Sequence, residues 1–168
     1  MTRRVLDRTC IVGASGPVIP TVDGLKQYPI GMVEMVAVAA PHHPLATEQG
    51  RVSHAAVRNH VQLVLTDRSD LTQGRDFAVL SPQTWRLADL GAKHALLLGG
   101  LGWGNMPEAM VRDDLAAGRL VVLDIEDPPW QRYTLSALYR ADEPPGPAAR
   151  WLLDRLAGTT PDQDLAGP

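Results

Sequence analysis

Apolar residues recur at helical spacing near the middle of the chain. Leu90, His94 and Leu97 fall on one face of a helix that this spacing predicts over residues 90–98. Asp89 stands where a side chain accepts hydrogen bonds from the first turn of a helix, and a pair of glycines follows the predicted end. The start, face and end of this helix are therefore all indicated by the sequence.

The segment Gly100–Met106, GLGWGNM, separates this helix from a second one. The second helix is predicted to open at Pro107, where a missing N–H costs nothing, and to end before Gly118. Glycines at alternate positions of the segment leave one side without Cβ atoms, so that a ligand or another backbone can come close. Two interpretations of Gly102 and Trp103 stay open: they line a ligand site, or the glycines allow close packing around the tryptophan.

The remaining pattern alternates strands with helices. Strands are predicted where β-branched and apolar residues run between turn residues, at Arg8–Gly13, Val33–Ala40, Val61–Thr66, Phe77–Leu80, Leu120–Leu123 and Arg132–Arg140. Two further helices are predicted at Val52–Asn59 and Pro147–Ala157. This alternation indicates an α/β fold with a largely parallel sheet.

Polar residues end the predicted strand Val61–Thr66. Because ligands bind at strand ends in open α/β sheets, Thr66, Arg68 and Ser69 are candidates to hold a small carboxylate. Hydroxyl, guanidinium and backbone N–H groups are suitable donors for such a ligand. The competing interpretation is a solvated loop in which Asp67 caps the segment that follows.

The run CIVGASGP, from Cys10 to Pro17, is similar to the start of a dinucleotide-binding turn. That turn needs a third glycine, where Ile19 stands, and a helix, which Pro17 and Pro20 disfavour. A nucleotide-binding α/β enzyme that uses the Gly13–Gly16 loop is therefore kept as an alternative.

Composition and charge narrow the class of protein. The net charge is −3, and the basic residues form no run beyond Arg3 and Arg4, which argues against a nucleic-acid binder. The single cysteine, Cys10, excludes an internal disulfide and is typical of a reducing cytosol. No apolar run has the length of a signal sequence or a membrane span. We expect a cytoplasmic protein without a membrane partner.

The residue types that carry catalysis or bind metals do not form a complete motif. The histidines show no short ligand spacing with a carboxylate or thiol, and the adjacent His42 and His43 face opposite ways on an extended segment. The nucleophile motif G-x-S-x-G is absent. We predict no catalytic residue, no metal and no cofactor.

Three segments carry a family resemblance. GLGWGNMP followed by DLAAGRL resembles the effector-binding domain of LysR-type transcriptional regulators. VEMVAVAAPHHPLA, residues 33–46, is similar to the hinge-crossing strand of that domain, and GPAARWLLDRL, residues 146–156, to its closing helix. The resemblance covers roughly residues 5–158.

The resemblance implies a type 2 periplasmic-binding-protein-like fold, with two lobes joined by a hinge. Lobe I would hold residues 1–40 and 130–158, lobe II residues 41–129, and residues 159–168 would form a disordered tail. No counterpart of the helix-turn-helix, the linker helix or the opening strand and helix of lobe I is visible. A truncated fragment with an incomplete first lobe is therefore expected.

The function implied by the resemblance is small-molecule sensing within a transcription regulator. The loop at Ser15 would lie at the mouth of the effector cleft, and the loop after Thr66 would face it. The predicted ligand contacts are Gly13, Ser15, Thr66, Ser69, Gly102 and Trp103. A small carboxylate is the expected effector. No direct DNA binding by this chain and weakened self-association are expected, and an assembly module without a ligand is a further alternative.

Overall fold

The structure, a computed structural model, describes residues 2–16, 22–48, 50–66, 78–128 and 131–158. These residues form two units. Unit 1 takes its described residues from Met1–Val33 and Tyr133–Pro168, and unit 2 from Glu34–Arg68 and Gln73–Arg132. The lobe boundaries predicted after residues 40 and 129 lie a few residues from these divisions, and the lobe assignment stays a prediction.

Strands and helices alternate along much of the chain. The strands are β1 (Val12–Ser15), β2 (Leu25–Ala39), β3 (Gln62–Leu65), β4 (Thr84–Leu87), β5 (Gly104–Pro107), β6 (Val121–Val122) and β7 (Arg132–Arg140). The helices are α1 (Thr2–Leu6), α2 (His54–Val57), α3 (Leu90–Leu98), α4 (Glu108–Ala116) and α5 (Pro147–Leu156), with a 3₁₀ turn at Pro44–Ala46. In the described residues, no helix has the length and apolar character needed to cross a membrane.

Unit 1 is built on β1, β7 and the first part of β2. β1 pairs antiparallel with β7, which lies between β1 and β2 in the sheet. Ile30, Ala137 and Leu153 form the buried core of this unit. Leu153 comes from α5, and the Tyr28 hydroxyl donates a 2.8 Å hydrogen bond to Asp154 on the same helix. These contacts hold α5 against the sheet.

Unit 2 combines antiparallel and parallel pairs. β2 pairs antiparallel with β5 and with β6, whereas β3 pairs in parallel with β4. The start of β3 also meets the backbone beside Trp103 in parallel. The predicted largely parallel sheet is thus wrong for β1–β7, β2–β5 and β2–β6. The reason is physical: the alternation of strands and helices indicates element types, but not which strands exchange backbone hydrogen bonds.

The bounds of the helices on either side of the glycine-rich segment agree closely with those predicted from the sequence. α3 spans the predicted residues, and the Asp89 carboxylate accepts a 2.7 Å hydrogen bond from the Ala92 N–H. α4 begins at Glu108, one residue later than predicted, because Pro107 is the last residue of β5 and occupies the N-cap position. Gly118 follows the C-cap of α4 with φ +67°, a conformation that favours glycine.

The first predicted strand, Arg8–Gly13, is wrong over most of its length. The Asp7 carboxylate accepts a 3.0 Å hydrogen bond from the Thr9 N–H, and Arg8 has φ +65°. This turn follows α1 and prevents an extended backbone, so that β1 starts only at Val12.

The strand predicted at Phe77–Leu80 does not form in its described part, where Ala78 has φ +57°. A buried glutamine of β3 holds this stretch instead. The Gln62 amide donates to the Ala78 carbonyl at 2.8 Å and accepts from the Leu80 N–H at 2.8 Å and the Ser81 N–H at 3.1 Å. The parallel partner of β3 is β4, which the sequence did not indicate.

Other element boundaries also differ from the predictions. β2 begins at Leu25 and not at Val33, although Pro29 and Gly31 are residues that strands usually avoid. α2 spans His54–Val57 and not the predicted Val52–Asn59; it begins at His54 because Ser53 caps it through a 3.2 Å hydrogen bond from the Ala56 N–H.

Candidate ligand-binding site

Two of the predicted ligand contacts lie in unit 1, on β1. Gly13 is paired with Leu138 of β7, and Ser15, half-buried, is paired with Ser136 at the end of the strand. Gly13 is therefore part of a strand, not of a phosphate-binding turn. The next element described after β1 is β2, so the helix that a dinucleotide turn requires has no support among the described residues.

Thr66 lies directly after β3 in unit 2. Its N–H donates a 2.7 Å hydrogen bond to the Leu87 carbonyl at the end of β4, and the residue is exposed. The backbone is fixed while the side-chain hydroxyl stays accessible, as a ligand contact requires. Arg68 and Ser69, the other candidates of this loop, lie outside the described residues.

Gly102 and Trp103 lie beside the start of β3, at the end opposite Thr66. A Cβ at Gly102 would stand 2.6 Å from the Val61 carbonyl oxygen, so only glycine lets these backbones approach. The Trp103 N–H donates to the same carbonyl at 3.1 Å, and the Leu63 N–H donates to the Trp103 carbonyl at 2.8 Å. The glycine at this position serves close backbone packing.

The Trp103 ring is 0% exposed. It packs in an apolar cluster of unit 2 whose other buried members are Ala39, Leu45, Val52, Val57, Leu123 and Ile125. The indole Nε1 has no hydrogen-bond partner. The packing interpretation accounts for its place in the structure, and its role as a ligand contact stays a prediction.

Lys93 is a charged residue of this region that the sequence analysis did not single out. It is 4% exposed, on the first turn of α3, and its Nζ donates a 2.7 Å hydrogen bond to the Asn105 carbonyl of β5. Burial lowers the pKa of the Lys93 ammonium to about 8. The sequence held one signal: Lys93 lies three residues after Leu90 and four before Leu97, on the buried face of the helix.

A second polar group joins α3 to α4. Asp114, buried at the end of α4, receives a 2.6 Å hydrogen bond from Arg119 Nε, and its other oxygen lies 2.7 Å from His94 Nε2. Arg119 first, and His94 in addition, hold the pKa of the Asp114 carboxyl below its usual value. This cluster fastens two helices and the turn after them.

Two histidines meet near the end of β2. His43 is buried, its Nδ1 accepts a 3.2 Å hydrogen bond from the Leu45 N–H, and its ring meets His60 edge-on at 5.2 Å. Burial, followed by the charges of His60 and His42, lowers the pKa of His43. The described residues contain no group of three His, Cys, Asp or Glu side chains placed to hold a metal ion.

The family of the chain is shown by a match over most of its length. The model of the LysR substrate binding domain family matches residues 6–160. The chain therefore belongs to the LysR substrate-binding domain family, as its three resembling segments indicated.

Two curated relatives illustrate the similarity. The transcriptional activator AllS of Klebsiella pneumoniae is 28% identical over 116 residues, which are 68% of this chain and 43% of that protein. The transcriptional regulator PunR of Escherichia coli K12 is 29% identical over 136 residues, or 76% of this chain and 41% of that protein. The chain thus spans less than half the length of these relatives.

Solved structures show the same fold. The CcmR regulatory domain of Synechocystis PCC6803, in complex with 2-PG, has a TM-score of 0.72 at 18% identity, over 96% of this chain and 79% of that chain. The effector binding domain of QuiR, in complex with shikimate, has a TM-score of 0.69 at 16% identity, over 93% of this chain and 74% of that chain. The fold is the α/β, type 2 periplasmic-binding-protein-like fold, and the predicted fold class is confirmed.

Proposed function

We propose that this chain is the effector-binding part of a LysR-type transcription regulator and that it recognises a small carboxylate. The family match over residues 6–160 carries this proposal. The complexes of CcmR with 2-PG and of QuiR with shikimate support it, since both are regulatory domains of this fold that hold a small molecule.

The proposed ligand contacts are Gly13, Ser15, Thr66, Ser69, Gly102 and Trp103. Thr66 has the strongest support, because its backbone is held by Leu87 and its hydroxyl is exposed at a strand end. Gly102 would contribute through its backbone, because it lies too close to the Val61 carbonyl oxygen for any residue with a side chain. Trp103 would contribute only if its ring leaves the core on binding.

In the whole regulator, ligand occupancy would change how attached DNA-binding parts are arranged. The free energy available for that change is the difference in ligand affinity between the two arrangements. This chain would neither bind DNA strongly nor catalyse a reaction, because its net charge is −3 and no catalytic motif is complete. We place it in the cytoplasm, with weak self-association.

Thermal-shift screening tests the proposal. Small carboxylates should raise the melting temperature of the purified chain, because a ligand that binds the folded state stabilises it by mass action. For a carboxylate that does so, Thr66→Val should weaken binding about three- to tenfold, as expected for the loss of one hydrogen bond. Thr47→Val is the matched control, since Thr47 is also exposed but bonds to Pro44. If no compound stabilises the chain, an assembly module without a ligand becomes the better interpretation.

A further inference from the structure

Lys93 carries a charge into the interior of unit 2. Among the described residues, the ion pairs are made by arginines and by His94, and none includes Lys93. Burial lowers its pKa, to about 8, and no charged group in the described part of the chain contributes to that change. At neutral pH the ammonium is still protonated.

Within the described ranges, the hydrogen bonds of this ammonium are incomplete. It has three N–H donors, and the Asn105 carbonyl accepts one of them at 2.7 Å. A buried charge with one neutral acceptor is costly, whereas a methionine would fill the same space without that cost. A lysine at this position is therefore best explained if its positive charge has a function.

The surrounding backbone makes room for the lysine. A Cβ at Gly104 would stand 2.7 Å from the Leu63 carbonyl oxygen of β3, so glycine is required here first for the close approach of two backbones. The same Cβ would lie 3.1 Å from Lys93 Cε and 3.4 Å from Nζ. The glycine therefore also leaves space for the lysine side chain against β5.

The position of Lys93 is one where ligands commonly bind. Its helix, α3, follows the carboxyl end of β4, and β4 runs parallel to β3, whose carboxyl end leads into Thr66. The segment from Trp103 into β5 starts parallel to β3, and Asn105 is the second of the four residues of β5. The carboxyl edge of parallel strands is the usual ligand edge of α/β proteins.

We propose that Lys93 is a binding residue for an oxyanion, the carboxylate or phosphate group of the effector, beside β5 near the carboxyl edge of β3 and β4. The ammonium would donate its remaining N–H groups to the oxyanion, and the oxyanion would supply the negative charge that the described residues do not place beside Lys93. This inference rests on the proposed function and adds to it the residue that selects an anionic ligand.

The two lysines of the chain, Lys26 and Lys93, allow a direct test. With lysine labelled by ¹³C at Cε, NMR titration from neutral pH to about 11 gives both pKa values in one sample. The titration is run in chloride and, at matched ionic strength, in acetate, inorganic phosphate or shikimate. A bound oxyanion should raise the pKa of Lys93 above its value in chloride, while exposed Lys26 stays unchanged. Acetate and phosphate distinguish the two kinds of oxyanion.

Affinity measurements complete the test. For the anion that raises the pKa of Lys93, Lys93→Met should weaken binding of that anion by about tenfold or more, and Lys26→Met should have no effect. If none of these oxyanions moves the pKa of Lys93, the inference is wrong. If acetate or shikimate raises the melting temperature while the pKa of Lys93 does not change, the inference fails but the proposed function stands. If neither these anions nor a panel of neutral compounds binds at all, both fail.

Discussion

The His94 imidazole and the Asp114 carboxylate lie 2.7 Å apart and connect α3 with α4. Asp114 is buried, and it accepts Arg119 through its other oxygen. Asp114→Ala leaves both partners without their acceptor and should lower the melting temperature by about 3–8 °C. Asp113→Ala, at an exposed neighbouring position on α4, should change it little. Equal losses in the two variants, measured by differential scanning calorimetry, would contradict the structural role of the cluster.

Gly102 should not tolerate a side chain. A Cβ there meets the Val61 backbone oxygen at 2.6 Å, so Gly102→Ala must separate two hydrogen-bonded strands. We expect a loss of about 2–4 kcal/mol in the free energy of unfolding, measured in urea. Gly99→Ala is the matched control, because its Cβ would have only ordinary contacts, at 3.5 Å and beyond, and its φ is −73°. A similar small effect in both variants would show that the close approach is not required.

His43 should make the protein less stable in mild acid. Its pKa is lowered in the folded state, so the unfolded chain binds the proton more tightly. The stabilisation is present above about pH 6.5 and is lost as the pH falls through the folded value, because protonated Nδ1 cannot accept from Leu45. His43→Asn keeps a capping oxygen and should flatten the stability profile between about pH 7 and 5. His42→Asn should reduce the slope only slightly, because the charge of His42 is the smallest of the three causes that lower the pKa of His43.

Lys93 should have an effect of the same sign at alkaline pH. Its folded pKa of about 8 lies below the ordinary lysine value of 10.5, so the native state loses its proton first. The free energy of unfolding should therefore rise with pH between about 8 and 10.5, by on the order of 3 kcal/mol if the group stays buried. Urea unfolding across this range should show the rise in Lys26→Met but not in Lys93→Met. A flat profile in the unsubstituted protein would mean that the ammonium reaches water.

Sequence patterns predicted the elements whose starts and ends are determined locally. α3 illustrates this, since Asp89 caps it and the apolar face through Leu97 is visible in the sequence. β4 was missed because Trp85 and Arg86 are exposed and form no apolar run. Its formation depends on hydrogen bonds to β3, which a local pattern does not contain.

The residues of the candidate site were also predicted only where the signal is local in the sequence. Thr66 was predicted from its place after an apolar strand, a local feature. Lys93 was not, because a lysine on a helix usually extends its charge into solvent, and here it is buried against β5, a different element, where it bonds to the Asn105 carbonyl. Gly102 was recognised as a close-approach position, but only the structure identifies Val61 as the backbone it approaches.

The three hydrogen bonds of Gln62 bear on how this region can change during evolution. They hold the chain at Ala78–Ser81, while Thr66 is held by Leu87 on the other side of residues 67–77. The parallel register of β3 and β4 is therefore determined by backbone and side-chain contacts that lie outside residues 67–77. Homologous chains that keep a glutamine at position 62 can retain this register even where the sequence between positions 66 and 78 differs.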